Sequence, residues 1–495
     1  MSVAGAATRW PRVAALRTPA ALRARLEELG WPLPCDDAAL AAPDSPLARP
    51  LALGEMNGRA QTAANRFVVQ PMEGWDGTPD GRPTALTERR WRNFGRSGAA
   101  LVWGGEAVAV VEEGRANPHQ LVLSPATAPD LGRLRAVVLD EARALGVTPV
   151  VGLQLTHSGR WSRPSPAGRA PRIAFRHPLL DVRAGVTDDA ALLSDAELDA
   201  LVERFADAAR LAQREGFDFV DVKHCHGYLL HEFLSAHTRP GMYGGSFENR
   251  TRLLTEIVAA VRAAAPGLEI GVRLSAFDFV PFEPNPELAE PGKLGPGMPE
   301  DYLHCLPYRY AFGVNQNNPV EYDLTETVQF LKLLESLGIQ LVNLSAGSPY
   351  YNPHIQRPAI YPPSDGYQPA HDPLIDVTRQ INVVKQLKAQ FPNLILVGTG
   401  YSYLQEYLPH VAEYYVRSGH VDSIGIGRAV LSYPTMLSHA TTQGKLEPRY
   451  VCRTFSDCTT APRNGLRSGC YPLDEYYKKF EDAPRLKEIK KSSGV

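Results

Sequence analysis

Eight short apolar runs, with seven stretches of helical periodicity between them, predict a closed parallel (β/α)8 barrel for the middle of this 495-residue chain, an α/β fold of the TIM-barrel class. Two further observations agree. The best-defined run, 217–222, turns abruptly polar at its C-terminal end, where such a barrel keeps its chemistry. The chain is also 44% hydrophobic, enough for a large core, and one barrel can absorb most of its length.

The runs are 65–70, 100–103, 149–155, 217–222, 268–274, 339–345, 394–398 and 423–426. Helical patterns fall between them at 87–96, 128–145, 194–213, 249–265, 324–337, 376–390 and 405–418. Three segments follow: an N-terminal extension over 1–54, the barrel over 55–440, and a C-terminal tail over 441–495 that packs on the barrel. The extension is rich in Pro and Ala and reads as extended loop after its first helix. Arg9, Arg12, Arg17, Arg23 and Arg25 all precede the first acid, Glu27, as in a transit peptide. Thr18-Pro19 followed by AALRARLEEL is a better match to a capped helix with proline in its first turn. Two long insertions interrupt the alternation. Residues 281–322, after strand five, carry Tyr302, Tyr308, Tyr310 and Phe312; residues 349–373, after strand six, carry Tyr350, Tyr351, Tyr361 and Tyr367. Aromatic loops of this length at a barrel mouth are expected to cover a substrate.

Composition narrows the partners. A net charge of −2 without basic or acidic runs argues against nucleic acid, and no apolar stretch approaches the ~20 residues of a membrane span. Cys35, Cys225, Cys305, Cys452, Cys458 and Cys470 are too scattered for a disulfide framework, which suits a reducing cytoplasm. A small-molecule substrate is the expected partner, and a homo-oligomer is compatible with this composition.

The chemistry concentrates in 217–250, FDFVDVKHCHGYLLHEFLSAHTRPGMYGGSFENR. Strand alternation puts Asp221 and Lys223 on one face, and charged groups at a buried strand end are costly unless paired or used. A lysine there could serve a Schiff-base aldolase as nucleophile. The run Lys223-His224-Cys225-His226-Gly227-Tyr228-Leu229, with YGGSFENR after it, resembles the fourth-strand signature of the old yellow enzyme family of FMN-dependent oxidoreductases. The resemblance covers about residues 65–440 and implies non-covalent FMN, with NADH or NADPH as electron donor.

Gln154, in QLTHSGR at the end of strand three, is similar to the family's glutamine at the flavin pyrimidine; an amide that both donates and accepts suits an imide-like edge. Arg273, ending strand five, matches the family's arginine beside the flavin, where a cation makes reduction easier. Gly400 after strand seven, with Gly427 and Arg428 after strand eight, fit a phosphate site, because glycine lets backbone N–H groups approach and arginine can pair with the anion. Pro71 and Met72 resemble the family's Pro-Met step, and Ala107 the residue lying against the flavin.

Two positions depart from the family pattern. Glu73, counted with the cofactor-binding residues, replaces a neutral or thiol side chain near the flavin and should disfavour an anionic reduced ring unless it is protonated or paired. Lys223 replaces the first of two residues that hold a substrate carbonyl, while His226 keeps the second and Tyr228 matches the family's proton donor. The resemblance implies hydride transfer to an activated C=C bond, as in an ene-reductase, with Lys223, His226 and Tyr228 catalytic. The alternative within flavin chemistry is oxidation of an amine or a saturated carbonyl compound. Lys223, expected between Asp221 and Glu73, should stay protonated and anchor anionic or strongly polarised oxygens. Cys458 and Cys470 share the spacing of the last two ligands in the family's iron–sulfur branch, but Thr454 and Phe455 stand at ligand-like places and Cys452 is out of step. No cluster and no metal site is expected.

Overall fold

The computed structural model describes residues 10–494. Its central sheet contains Phe67–Val69, Leu101–Val102, Val150–Thr156, Phe219–Val222, Glu269–Ser275, Leu341–Ser345, Ile395–Gly398 and Ser423–Ile426. These strands pair in chain order, all parallel, and Ile426 opposite Val69 closes the last onto the first. Each overlaps a predicted run. The second strand comes in two pieces, Leu101–Val102 and Ala107–Ala109, both paired with the third. The break lies at Gly104-Gly105, where Gly105 has φ +53° and an added Cβ would meet the Trp91 ring at 2.4 Å. Only glycine fits there.

Alternation along the strands explains where the site lies. At the floor of the barrel the interior is apolar: Val68, Trp103, Phe219 and Leu341 share one cluster, with the Trp103 and Phe219 rings 5.2 Å apart, edge to face. Gly152 makes room for Phe219, since a Cβ there would lie 2.3 Å from its ring. Two residues further along each strand the inward positions become Gln70, Gln154, Asp221, Arg273 and Asn343. Register places Gln154 opposite Asp221 and Arg273 opposite Asn343, so these form one polar layer above the apolar one.

The extension is more ordered than its composition suggests. Thr18 caps helix Pro19–Glu28, its hydroxyl accepting from the Ala21 N–H at 3.1 Å, and Leu22 and Leu26 are buried. Arg9 lies outside the described residues. A hairpin, Leu51–Met56 with Arg59–Ala63, plugs the barrel floor through Leu53, Met56 and Ala63. The expected division at 54/55 falls inside its first strand. Asn57-Gly58, both at positive φ, is the turn pair that favours hairpins, but the flanking strands are too polar and short to stand out by periodicity.

The two insertions behave differently. Tyr308 and Phe312, after strand five, are buried against the barrel wall, and Tyr308 faces His177 rather than the mouth. The insertion after strand six reaches the mouth through Tyr350 and Arg357. The lid expected of 281–322 is therefore corrected: none of its residues lines the main cleft, and Tyr308 and Phe312 pack against His177, His231 and Phe330 instead. Among the described residues, no helix is long and apolar enough to cross a membrane.

Candidate active site

A cleft with a cavity volume of about 260 Å³ sits over the C-terminal ends of the strands. Every residue expected to be catalytic or to hold the cofactor lines it: Pro71, Met72 and Glu73 from strand one, Ala107 from strand two, and Gln154 from strand three. Lys223, His226 and Tyr228 follow strand four, Arg273 ends strand five, and Gly400, Gly427 and Arg428 follow strands seven and eight.

The floor is the polar layer. Gln154 Nε2 donates to Asp221 Oδ2 at 2.6 Å, and the backbone N–H of Arg273 donates to Asp221 Oδ1 at 2.7 Å. Burial pushes the Asp221 carboxyl up to about 6. The Arg273 guanidinium is not paired with Asp221; its Nη1 donates to the Pro71 carbonyl at 3.2 Å, while Nε is buried without a partner. Asn343 accepts from Gln70 Nε2 at 3.2 Å and leaves its own Nδ2 buried and unpartnered. Buried donors of this kind await an acceptor.

Strand four ends in a sharp turn. His226 has φ +66° and Gly227 φ +73°, a left-handed pair that costs energy at the non-glycine position and turns the chain back over the cleft. Neighbouring loops hold it there: the His226 N–H donates to Ser275 Oγ at 3.0 Å, and Ser348 Oγ donates to the His226 carbonyl at 2.8 Å. His226 Nε2 lies 2.9 Å from Ser345 Oγ. Burial, then the charge of Arg273, drives its pKa well below 6.5, so the imidazole is neutral and keeps one N–H to donate.

Lys223 departs from expectation. Its Nζ lies 3.5 Å from the centroid of the Tyr228 ring, and neither Asp221 nor Glu73 is within ion-pair distance among the described residues. Burial lowers its pKa more than the nearby charges raise it. The ammonium is thus held by a π face rather than between carboxylates.

Glu73 instead engages Tyr228. The Tyr228 hydroxyl donates to Glu73 Oε2 and lies 2.9 Å from the Tyr350 hydroxyl; Asn117 Nδ2 donates to Glu73 Oε1 at 3.2 Å. Tyr350 stacks on Trp161 with centroids 4.6 Å apart. Burial first, then the Glu73 charge, raises the Tyr228 pKa well above 10, so the phenol stays protonated.

Much of the recognised motif is scaffolding. Arg160 Nε donates to Glu232 Oε1 at 2.9 Å and Nη2 to the Phe175 carbonyl at 2.7 Å, tying the loop after strand three to that after strand four. Ser246 caps helix Phe247–Ala264, and Arg250 pairs with Glu326 at 2.5 Å.

Sequence reasoning missed the tail as a wall of the cleft. Cys452, Cys458, Thr459, Arg463 and Cys470 all line it. The tail is held by Asp474 on Arg89 (2.8 and 3.0 Å) and by Arg463 donating to the Pro349 carbonyl at 2.8 Å. No strand periodicity leads into these residues, so their position depends on long-range contacts alone. Their thiols are free, and among the described residues no group of three or more His, Cys, Asp or Glu is placed to hold a metal ion.

Known proteins resemble this chain in sequence and in fold. An NADPH dehydrogenase of Geobacillus thermodenitrificans is 33% identical over 235 residues, 45% of this chain and 62% of its own length. An NADH:flavin oxidoreductase of Gibberella zeae is 26% identical over 344 residues, 65% of this chain and 69% of its own. In structure the chain is similar to the old yellow enzyme homologue of Zymomonas mobilis, with a TM-score of 0.51 at 22% identity, covering 79% of this chain and 91% of that one. It is also similar to a 2-naphthoyl-CoA reductase, with a TM-score of 0.62 at 15% identity, covering 87% of this chain and 57% of that one. At these identities the structural likenesses speak for the fold. The family profile described as NADH:flavin oxidoreductase / NADH oxidase matches residues 46–293, half of the chain, and with the barrel and its cleft this makes the protein a member of that family of FMN-dependent oxidoreductases.

Proposed function

We propose that this protein uses NADH or NADPH to reduce an activated C=C bond in a small molecule. The observation that carries the reading is the convergence of Lys223, His226 and Tyr228 over the polar floor, with the Tyr228 phenol kept protonated. The residues present fit FMN. Arg273 Nε and Asn343 Nδ2 are buried donors without partners, Arg428 has no carboxylate in ion-pair range among the described residues, and Gly427 leaves open space where a Cβ would meet only Gln70 Oε1, at 4.0 Å.

Gln154 and Arg273 would hold the polar edge of the ring, Pro71, Met72 and Ala107 its apolar surface, and Gly400, Gly427 and Arg428 the phosphate. The chemistry supplied by bound FMN is hydride transfer, in from a reduced nicotinamide and out to the substrate. Lys223 and His226 donate hydrogen bonds to the substrate carbonyl oxygen and draw charge onto it. Tyr228 gives its phenolic proton to the α-carbon, and Glu73 and Tyr350 hold that hydroxyl in place.

Purified protein is expected to carry non-covalent FMN and to bleach anaerobically with NADH or NADPH. Release of FAD on denaturation, or no flavin after reconstitution, would sink the reading. Reoxidation against a panel of enones and amines then fixes the substrate class. A second reading, oxidation of an amine, is favoured by the half-buried Glu73 carboxylate beside the Tyr228 and Tyr350 rings, a setting that suits an ammonium group.

Glu73→Gln provides a separate check. Removing the carboxylate charge lowers the Tyr228 pKa, so alkene reduction should fail at a lower pH than in the unmodified protein, because the donor ionises earlier. A pH–rate profile of the oxidative half-reaction that does not move would exclude contact between these two groups in the working enzyme.

A further inference from the structure

Arg357 belongs to the strand-six insertion, directly after the short helix Pro353–Gln356. It lines the main cleft and also a smaller adjoining cavity, and Arg428 borders both. Neither guanidinium has a carboxylate within ion-pair distance among the described residues. Each is held by a tail hydroxyl instead: Arg357 Nη1 donates to Ser456 Oγ at 3.1 Å, and Arg428 Nη1 to Thr459 Oγ1. Ser456 in turn donates to the Tyr361 carbonyl at 2.5 Å, which fixes the tail to the insertion.

Two guanidiniums facing one space without a counterion repel each other. Burial first, and next the charge of Arg357, bring Arg428 down to about 10. Such a pair is costly in the folded state unless an anion joins it. Thr399 and Gly400, the latter at φ +90°, line the same cleft. A phosphate monoester, with up to two charges and three acceptor oxygens, satisfies two arginine forks at once.

We propose that Arg357 acts with Arg428 as a two-arginine clamp on the phosphate of FMN, so that the strand-six insertion and the tail supply half of the phosphate site. This rests on the FMN reading above and extends it to a residue outside the strand ends. The same dianion chemistry could also come from the 2′-phosphate of NADPH, and the test separates the two sources.

Apo-protein is titrated with FMN and with riboflavin, following flavin fluorescence, for the unmodified chain, Arg357→Ala, Arg357→Gln and Arg428→Ala. Loss of one charge-assisted fork should weaken FMN about 10- to 100-fold in each variant, with riboflavin affinity unchanged. Thermal unfolding of the apo-proteins verifies that the variants fold alike. An equal loss for FMN and riboflavin in Arg357→Ala would overturn the clamp, because the residue would then act on shape alone. So would unchanged FMN binding; if the rates of flavin reduction by NADPH and by NADH, measured on the same variants, then differ less than in the unmodified chain, the arginine serves the 2′-phosphate instead. If the unmodified chain binds neither flavin, the FMN reading falls first and the clamp with it.

Discussion

Tyr228→Phe leaves reduction of the bound flavin by NAD(P)H intact and slows its reoxidation by an activated alkene about 10²- to 10⁴-fold, the usual worth of a positioned acid. The substitution removes one oxygen and keeps the ring on which Lys223 Nζ rests at 3.5 Å, so the packing of the turn survives. Stopped-flow measurement of the two half-reactions separates the outcomes. Equal loss in both would mean that the hydroxyl holds the site together rather than delivering a proton.

Arg90→Met destabilises the fold by about 3–5 kcal/mol, the range for breaking a buried ion pair from one side. Arg90 Nη1 and Nη2 bind Asp76 at 2.6 and 2.8 Å, and Nη2 also reaches Glu106. The three side chains are 7%, 1% and 2% exposed, so the substitution strands two carboxylates away from water. Even with Arg90 present, burial pushes Glu106 up to about 7. Glu106 bridges to Met72 and precedes Ala107, so flavin retention should fall along with stability. Denaturant unfolding measures the loss, and Arg90→Met combined with Glu106→Gln should recover part of it by removing one of the stranded charges. A single variant as stable as the unmodified protein would show that these carboxyls carry no charge in the folded state.

The barrel and the strand-end half of the candidate site were legible in the linear chain, for a local reason. Strand and helix periods are properties of neighbouring residues, and the switch from apolar to polar at the end of each strand marks the mouth without any knowledge of what faces it. Gln154, Arg273 and Arg428 stand at or just past such strand ends, and it was the resemblance to the old yellow enzyme family that gave them their expected roles. Gln70 and Asn343 share that parity and could have been found by the same reasoning: they stand on the inward face, level with Gln154 and Arg273. Which side chains pair across the mouth depended on loops that close from far away in sequence. Alternation put Lys223 on the same face as Asp221, yet burial and the Tyr228 ring took the ammonium, and Glu73 took the tyrosine hydroxyl across 155 positions. The tail and Arg357 became walls of the cleft through contacts such as Arg357 with Ser456, 99 positions apart. No periodic pattern encodes such pairings, because their free energy comes from one burial environment shared by distant segments, and only the folded chain creates it.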